Sequence, residues 1–323
     1  IIKRQLAITW VAISRVNHIS EEVLAWMRKA GCTQISFGVE SGSKTIRNSL
    51  NKTIKTEQVK KAFRLTQKQG IVARAYFIYG CPEESWQTIQ ETIDLIDRIK
   101  PLSTVFYILD IFPGTRLYED FKHRFKHTDD VWLKRIEDIM YFETDPELTR
   151  ELILAFGQKL RSHFYESLPR FVEALDLIDN KELYPQHSAF YSRLAMTFDY
   201  GDYAHLEEIE NRERIAAGLY QSALEYYPNA EAYLGLGILY QKGAENRKST
   251  EILSQGLTHF PRDARLNICM GISLMNLELW DRALSHFLEF QNVKEAVRFA
   301  ALCYRSLGDE NKAAALLKRF EKM

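Results

Sequence analysis

From Ala230 onward the sequence repeats every 34 residues. With Ala230 as position 1, Tyr233, Leu236, Gly237, Tyr240, Ser249, Leu253, Gly256 and Pro261 fall at positions 4, 7, 8, 11, 20, 24, 27 and 32. Small residues at 8, 20 and 27 allow two antiparallel helices to approach closely. Large residues at 4, 7, 11 and 24 fill the groove between them. A second unit starts near Ala264, with Gly271, Leu274, Ala283 and Phe287 in register, and a shorter last unit carries Ala301, Tyr304, Gly308, Ala313 and Leu317. An earlier unit is stretched. It has Ala195 and Phe198 on its first helix, Ala223 and Pro228 on its second, and an insertion around Asp202 to Asn211. One such unit cannot bury its own apolar face, so tandem copies predict a stacked all-α solenoid. Tyr226, Tyr227, Tyr233 and Tyr240 are expected in its core.

This spacing resembles the tetratricopeptide (TPR) repeat. The resemblance implies a concave groove that grips a protein or peptide partner without catalysis.

The first third reads differently. Apolar runs at 5–14, 34–39, 71–79 and 103–111 predict buried strands. Between them, 20–30, 43–50, 56–69 and 85–99 have helical periodicity. Ser20 and Thr56 stand at two helix starts, Gly31 and Gly70 follow two helix ends, and Pro101 closes the last. Alternation at roughly 30-residue spacing predicts parallel βα units: an open sheet or half of a barrel. After residue 115 no further strand is expected. Helices are expected over 129–141 and 146–176, with the basic run Phe121–His127 on a solvated helix face and turn. The fold class is therefore a partial α/β (βα) barrel followed by an all-α TPR-type solenoid. The expected divisions are 1–125, a helical connector over 126–180, and 181–323.

Hydrophobic residues make up 46% of the chain, which excludes wholesale disorder. Lys plus Arg and Asp plus Glu both number 43, so the net charge is zero and bulk nucleic-acid binding is disfavoured, though a local basic cleft is not. No apolar run approaches the roughly 20 residues that span a bilayer, so no membrane partner is expected. The four cysteines Cys32, Cys81, Cys269 and Cys303 form no close pair. That fits a reducing, cytoplasmic setting and offers no metal site. Cys32 and Cys81 are expected as small buried apolar residues. The eight histidines show no HxH or HxxxH pairing. The chain begins with Ile1, so it is expected to start downstream of its gene's start.

Six short pieces stand out in the front third: Arg15-Val16-Asn17, Ala30-Gly31-Cys32, Gly38-Val39-Glu40-Ser41-Gly42-Ser43, Leu50-Asn51-Lys52, Gly80-Cys81-Pro82-Glu83-Glu84-Ser85 and Phe112-Pro113-Gly114-Thr115. The loop pieces sit at carboxyl ends of strands, the edge where parallel α/β folds bind ligands. In this order and spacing they resemble the rear part of the barrel of the radical SAM superfamily, in particular the subfamily with an N-terminal cobalamin-binding domain. The resemblance covers about residues 5–120. It implies S-adenosylmethionine and a [4Fe–4S] cluster as cofactors of the whole protein, with cobalamin as a further one.

One element of the family is missing. A Cys-x3-Cys-x2-Cys loop holds the cluster through thiolates, and this chain has no such loop. The first strand here matches the third strand of the family barrel. Truncation is expected, with the cysteine loop roughly 60–90 residues upstream at ~30 residues per βα unit. The chain alone is then expected to bind neither cofactor stably and to be inactive.

By resemblance, Glu40 contacts the ammonium or ribose of S-adenosylmethionine, and Ser41 assists. Lys52 and Arg15 meet the methionyl carboxylate through charge-assisted pairs. Tyr76 lies on a strand facing either the cofactor or a helix. Phe112 lies beside the adenine, mainly through backbone. Each has a plainer competitor: an exposed cap for Glu40, a solvated side chain for Lys52, a helix carboxylate partner for Arg15, and core packing for Tyr76. Gly38, Gly80 and Gly114 are read as turn glycines. Two functions remain open. One is a radical SAM enzyme acting on an unidentified substrate, with relatives that act on tRNA as a subset. The other is a non-catalytic TPR scaffold carrying a barrel remnant.

Overall fold

Four of the apolar runs become strands that pair in sequence order. The computed structural model describes residues 1–134 and 137–323. It divides into one unit of Ile1–Asp179 with Glu207–Glu210 and a second of Asn180–Leu206 with Asn211–Met323. In the front unit β1 (Trp10–Ser14), β2 (Cys32–Glu40), β3 (Val72–Tyr79) and β4 (Ser103–Ile108) form one all-parallel sheet in the order β1-β2-β3-β4. The crossovers carry α1 (Glu21–Lys29), α2 (Lys44–Ser49), α3 (Thr56–Lys68) and α4 (Trp86–Ile99). One face of the sheet is apolar: Ile35, Phe37, Ala73, Ala75 and Phe77 are fully buried. Phe37 meets Phe63 of α3 with ring centroids 5.3 Å apart, and Phe77 stacks on Phe106. The other face carries small and polar residues, among them Ser36, Gly38 and Arg74.

Helix starts follow the expected chemistry with one exception. Ser20 Oγ accepts from the Val23 amide and Ser85 Oγ from the Thr88 amide. The cap of α3 is Lys55, not Thr56: the Gln58 side chain accepts from the Lys55 amide, and the Thr56 hydroxyl accepts from Arg47.

Two strands are shorter than their apolar runs. Residues 2–4 form a 3-10 turn and Gln5 is left-handed (φ +50°), so pairing begins only at Trp10. In the run 103–111 the strand ends at Ile108: the Leu109 amide still donates to the Tyr79 carbonyl of β3, but the Leu109 carbonyl accepts from the Tyr141 amide and the Ile111 amide donates to the Ile139 carbonyl. Beyond it come α5 (Arg116–Phe125), capped by Thr115, the short α6 (Val131–Lys134), and α7 (Arg150–Glu173). Of the helix expected over 129–141, the described residues show Val131–Lys134 as helix and 137–139 as non-helical. Residues 135–136 lie outside the described residues, and Tyr141–Thr144 form a 3-10 turn.

β1 is an edge strand, pairing only with β2 among the described residues. Val11 is 65% and Ile13 79% exposed. Such an edge recruits another chain. The purified chain is expected to associate increasingly with concentration in light scattering; a monomer at every concentration would contradict this.

The second unit is a series of helix pairs. α8 (Tyr184–Asp199) pairs with α9 (Arg212–Tyr226), α10 (Ala230–Lys242) with α11 (Asn246–His259), α12 (Ala264–Asn276) with α13 (Trp280–Leu288), and α14 (Lys294–Ser306) with α15 (Glu310–Phe320). The small repeat positions are contact points. A Cβ on Gly237 would lie 2.8 Å from Leu253, on Gly256 2.9 Å from Tyr233, and on Gly271 2.5 Å from Phe287. Ser249 is fully buried and donates to the Gly237 carbonyl at 2.8 Å. Tyr233 is core, but Tyr227 is 51% exposed, contrary to its expected place. It follows the last turn of α9, where the chain becomes extended and turns the ring outward.

Candidate functional site

Loops at the carboxyl edge of the sheet enclose a cavity of about 760 Å³. Its walls come from the segment after β1, the end of β2, the turn after α2 and the start of α3, with Tyr76 on β3.

Glu40 is the most constrained of its residues. It ends β2 with φ +67°, and the register against β3 shifts between Gly38 and Glu40. A non-glycine residue there costs about 1 kcal/mol. The side chain folds back over Gly38, where a Cβ would lie 2.6 Å from Glu40 Oε1. Gly38 is therefore no turn glycine, contrary to expectation, and it makes room for the carboxylate. Gly80 (φ +74°) and Gly114 (φ +81°) do sit in left-handed turns. Glu40 is 7% exposed and its Oε1 lies 2.9 Å from Lys52 Nζ, so it is not an exposed cap.

Lys52 reaches that position through a helix stop. Asn51 is left-handed (φ +54°), its amide donates to the Asn48 carbonyl, and the Lys52 amide donates to the Arg47 carbonyl at 2.7 Å. This is a Schellman ending, with asparagine tolerating the left-handed position. The Leu50-Asn51-Lys52 piece thus terminates α2 and delivers the ammonium. Lys52 is half-exposed and free to meet a ligand as well as Glu40.

Arg15 lines the same cavity, exposed and without an ion-pair partner among the described residues. Tyr76 lines it from the inner face, its ring 5.9 Å from that of Tyr107. Two expected residues lie apart. Ser41 is 1% exposed; its hydroxyl pairs with Thr92 Oγ1 at 3.1 Å and accepts from the Ser43 amide. Phe112 is 58% exposed on the loop after β4 and does not line the cavity.

Several contributors carried no sequence signal. His18, Thr53 and Gln58 reach the wall only because separate loops converge. Arg47 is 4% exposed and donates to the carbonyls of Ser41 and Gly42 at 2.7 and 2.8 Å, fixing the loop that follows Glu40. Burial lowers its pKa from the ordinary arginine value. Gly42 lets that loop press onto α4: a Cβ would lie 2.2 Å from the Glu91 carbonyl oxygen.

The Gly80–Ser85 loop is held by Glu84, which is 8% exposed, accepts from the Thr88 hydroxyl at 2.7 Å and accepts from the Cys81 amide at 3.3 Å. Burial pushes its pKa above the ordinary 4.5, against the lowering effect of those hydrogen bonds. A carboxyl whose folded pKa is raised binds its proton more tightly when folded. Its contribution is therefore greatest at low pH and is lost as pH rises from about 4.5 through the raised value. Thermal melts of the intact chain are expected to show this slope, and Glu84→Gln to remove it. An unchanged slope in the variant would reject the assignment.

A zwitterionic ligand with neighbouring ammonium and carboxylate groups fits this donor set: one buried carboxylate and two cations face a common space. An iron–sulfur cluster does not fit. All four cysteines are buried and free, and burial raises their pKa, to about 11 for Cys32 and about 12 for Cys269. No group of three His, Cys, Asp or Glu among the described residues is placed to hold a metal ion. No helix of the described residues is long and apolar enough to cross a membrane.

Residues 2–96, within the front unit, match the family described as the radical SAM superfamily. An uncharacterized methyltransferase of Pyrococcus horikoshii is 36% identical over 114 residues, covering 35% of this chain and 25% of its own length. The bacteriochlorophyllide d C-12(1)-methyltransferase of Chlorobaculum tepidum is 30% identical over 165 residues, 50% of this chain and 35% of its own length. The anaerobic magnesium-protoporphyrin IX monomethyl ester cyclase of Rubrivivax gelatinosus is 31% identical over 37% of this chain and 22% of its own length. The chain thus spans between about a fifth and a third of these relatives. Among solved structures, a crystal structure of MamA aligns over 51% of this chain at 16% identity with a TM-score of 0.38.

Proposed function

We propose that the cavity beside Glu40 is the S-adenosylmethionine site of a radical SAM enzyme whose cluster ligands lie outside this chain. The observation that carries this is Glu40 itself: a strained, buried carboxylate paired with Lys52, in a cavity that Arg15 and Tyr76 also line. Strain of this kind persists where the surroundings over-determine it, and it clusters at ligand sites.

Glu40 accepts hydrogen bonds from the ammonium or ribose hydroxyls. Lys52 and Arg15 take the methionyl carboxylate. Tyr76 offers a flat wall. Ser41 acts through the loop, and Phe112, which lies off the cavity, is given no contact. A [4Fe–4S] cluster would be held by ligands other than the four buried cysteines of this chain and would supply the electron for reductive cleavage of S-adenosylmethionine. The similarity to methyltransferases and a cyclase favours radical modification or methylation of the substrate, with cobalamin as a further cofactor of the methylating case. The helix-pair unit recruits a protein or peptide partner.

The test is made on the whole gene product. After anaerobic reconstitution with iron and sulfide and addition of reductant, S-adenosylmethionine is expected to yield 5′-deoxyadenosine or S-adenosylhomocysteine. Glu40→Gln should lower that yield about ten- to a hundredfold, as for a lost charged hydrogen bond. A gene product without the cysteine loop and without turnover would overturn the enzyme reading in favour of a scaffold.

A further inference from the structure

A second cavity, of about 460 Å³, lies on the outer side of α3, and it is lined by six cations. Lys60, Lys61, Arg64 and Lys68 come from α3, and Arg98 and Lys100 from the end of α4. The groove follows α3 from Glu57 to Lys68, about 16 Å at the helical rise. Only two carboxylates line it, and both are used near its ends: Glu57 pairs with Lys60 at 2.9 Å and Asp176 with Lys68 at 3.6 Å. Lys61, Arg64, Arg98 and Lys100 have no ion-pair partner among the described residues.

Zero net charge makes this concentration informative. The chain has one carboxylate for each Lys or Arg, yet here four cations face one groove unopposed. Like charges about one turn apart on a helix, as in Lys61 and Arg64, repel and weaken it. Arg98 and Lys100 add to that repulsion from a second element. The walls are fixed: Gln67 Nε2 donates to the Lys100 carbonyl at 2.6 Å, and the Ile178 amide donates to the Lys68 carbonyl at 2.8 Å. The floor is apolar, with Ile99 and Phe171 each 3% exposed. The volume lies in the small-ligand range. A groove of this size with guanidinium forks and an apolar floor suits a phosphate-bearing ligand with an attached ring. An extended nucleic acid would call for a basic surface beyond the groove, which the charge balance does not supply.

We propose that this groove binds the polyphosphate group of a small, nucleotide-like ligand, at a site separate from the Glu40 cavity. The inference does not rest on the radical SAM reading. The test is calorimetry of the purified chain with ADP, pyrophosphate and adenosine as probes, at physiological salt. ADP and pyrophosphate are expected to saturate, and adenosine is not. The double variant Arg64→Gln/Arg98→Gln should weaken ADP binding at least tenfold, and the distant control Lys318→Gln should leave it unchanged. Both arginines and Lys318 are exposed, so circular dichroism should confirm retained folding. Absence of saturation at millimolar ADP, equal binding by the double variant, or tighter binding of a single-stranded oligonucleotide than of ADP would each overturn the proposal.

Discussion

Glu40→Gly is expected to leave the chain as stable as the native protein, or up to about 1 kcal/mol more stable, while removing cofactor binding. Glycine adopts the left-handed backbone at position 40 without a Cβ clash. The substitution also removes a carboxylate that is nearly buried. Against these gains stands the pair to Lys52, which is half-exposed and therefore contributes little. A purely structural glutamate would behave in the opposite way, with a loss of stability on removal. Chemical denaturation of Glu40→Gly beside Glu40→Gln separates the two contributions. Gln keeps the strained backbone and loses the charge, whereas Gly loses both. A destabilisation of 2 kcal/mol or more in the glycine variant, at the order expected for breaking a buried polar network, would show that Glu40 serves the fold.

Gly42→Ala is expected to be among the most damaging single-methyl changes in the front unit. The added carbon would meet the Glu91 carbonyl oxygen at 2.2 Å and Thr92 Cα at 2.4 Å, both backbone atoms of α4 that cannot rotate away. Overpacking against fixed backbone costs about 3 kcal/mol. The cost should appear in function too. The loop carrying Ser41 and Gly42 is bonded to Thr92 and clamped by Arg47, and it follows Glu40 directly. Gly218→Ala is the control: nothing lies within 4 Å of its Cβ position, and it sits inside α9. Alanine there should stabilise by about 0.5–1 kcal/mol. A Gly42→Ala chain that melts like the native one would mean that α4 and the loop separate readily.

The order of elements was legible because each rule that sets it is local. Ser20 caps a helix by accepting from the Val23 amide three residues on, Gly31 and Gly70 follow two helix ends, and apolar runs of the right length paired as strands. The repeat was legible for the same reason, since Gly237, Gly256 and Gly271 mark contact points fixed by spacing. Strand ends were less so. The run 103–111 is largely apolar to its end, and nothing in it says that the Leu109 carbonyl and the Ile111 amide turn to the segment at 139–141. Gly38 was misread for a related reason: a glycine that vacates space for a neighbouring carboxylate looks in sequence like one that turns the chain. Arg47 was invisible because the bonds by which it fixes the loop go to the Ser41 and Gly42 carbonyls, which carry no side-chain signature. Ser41 belongs to the motif that drew attention to the site, yet its hydroxyl is spent on Thr92 and the loop rather than on the cavity.

The central claim is that Glu40, with Lys52 and Arg15, receives S-adenosylmethionine. Equilibrium dialysis of labelled S-adenosylmethionine against the whole reconstituted gene product addresses it most directly, since it needs no substrate and no turnover. Saturable binding that falls at least tenfold in Glu40→Gln, with Lys318→Gln as an unaffected surface control, is the predicted result. Binding of equal strength in the native protein and in Glu40→Gln would contradict the account, and so would no binding by a properly cluster-loaded protein.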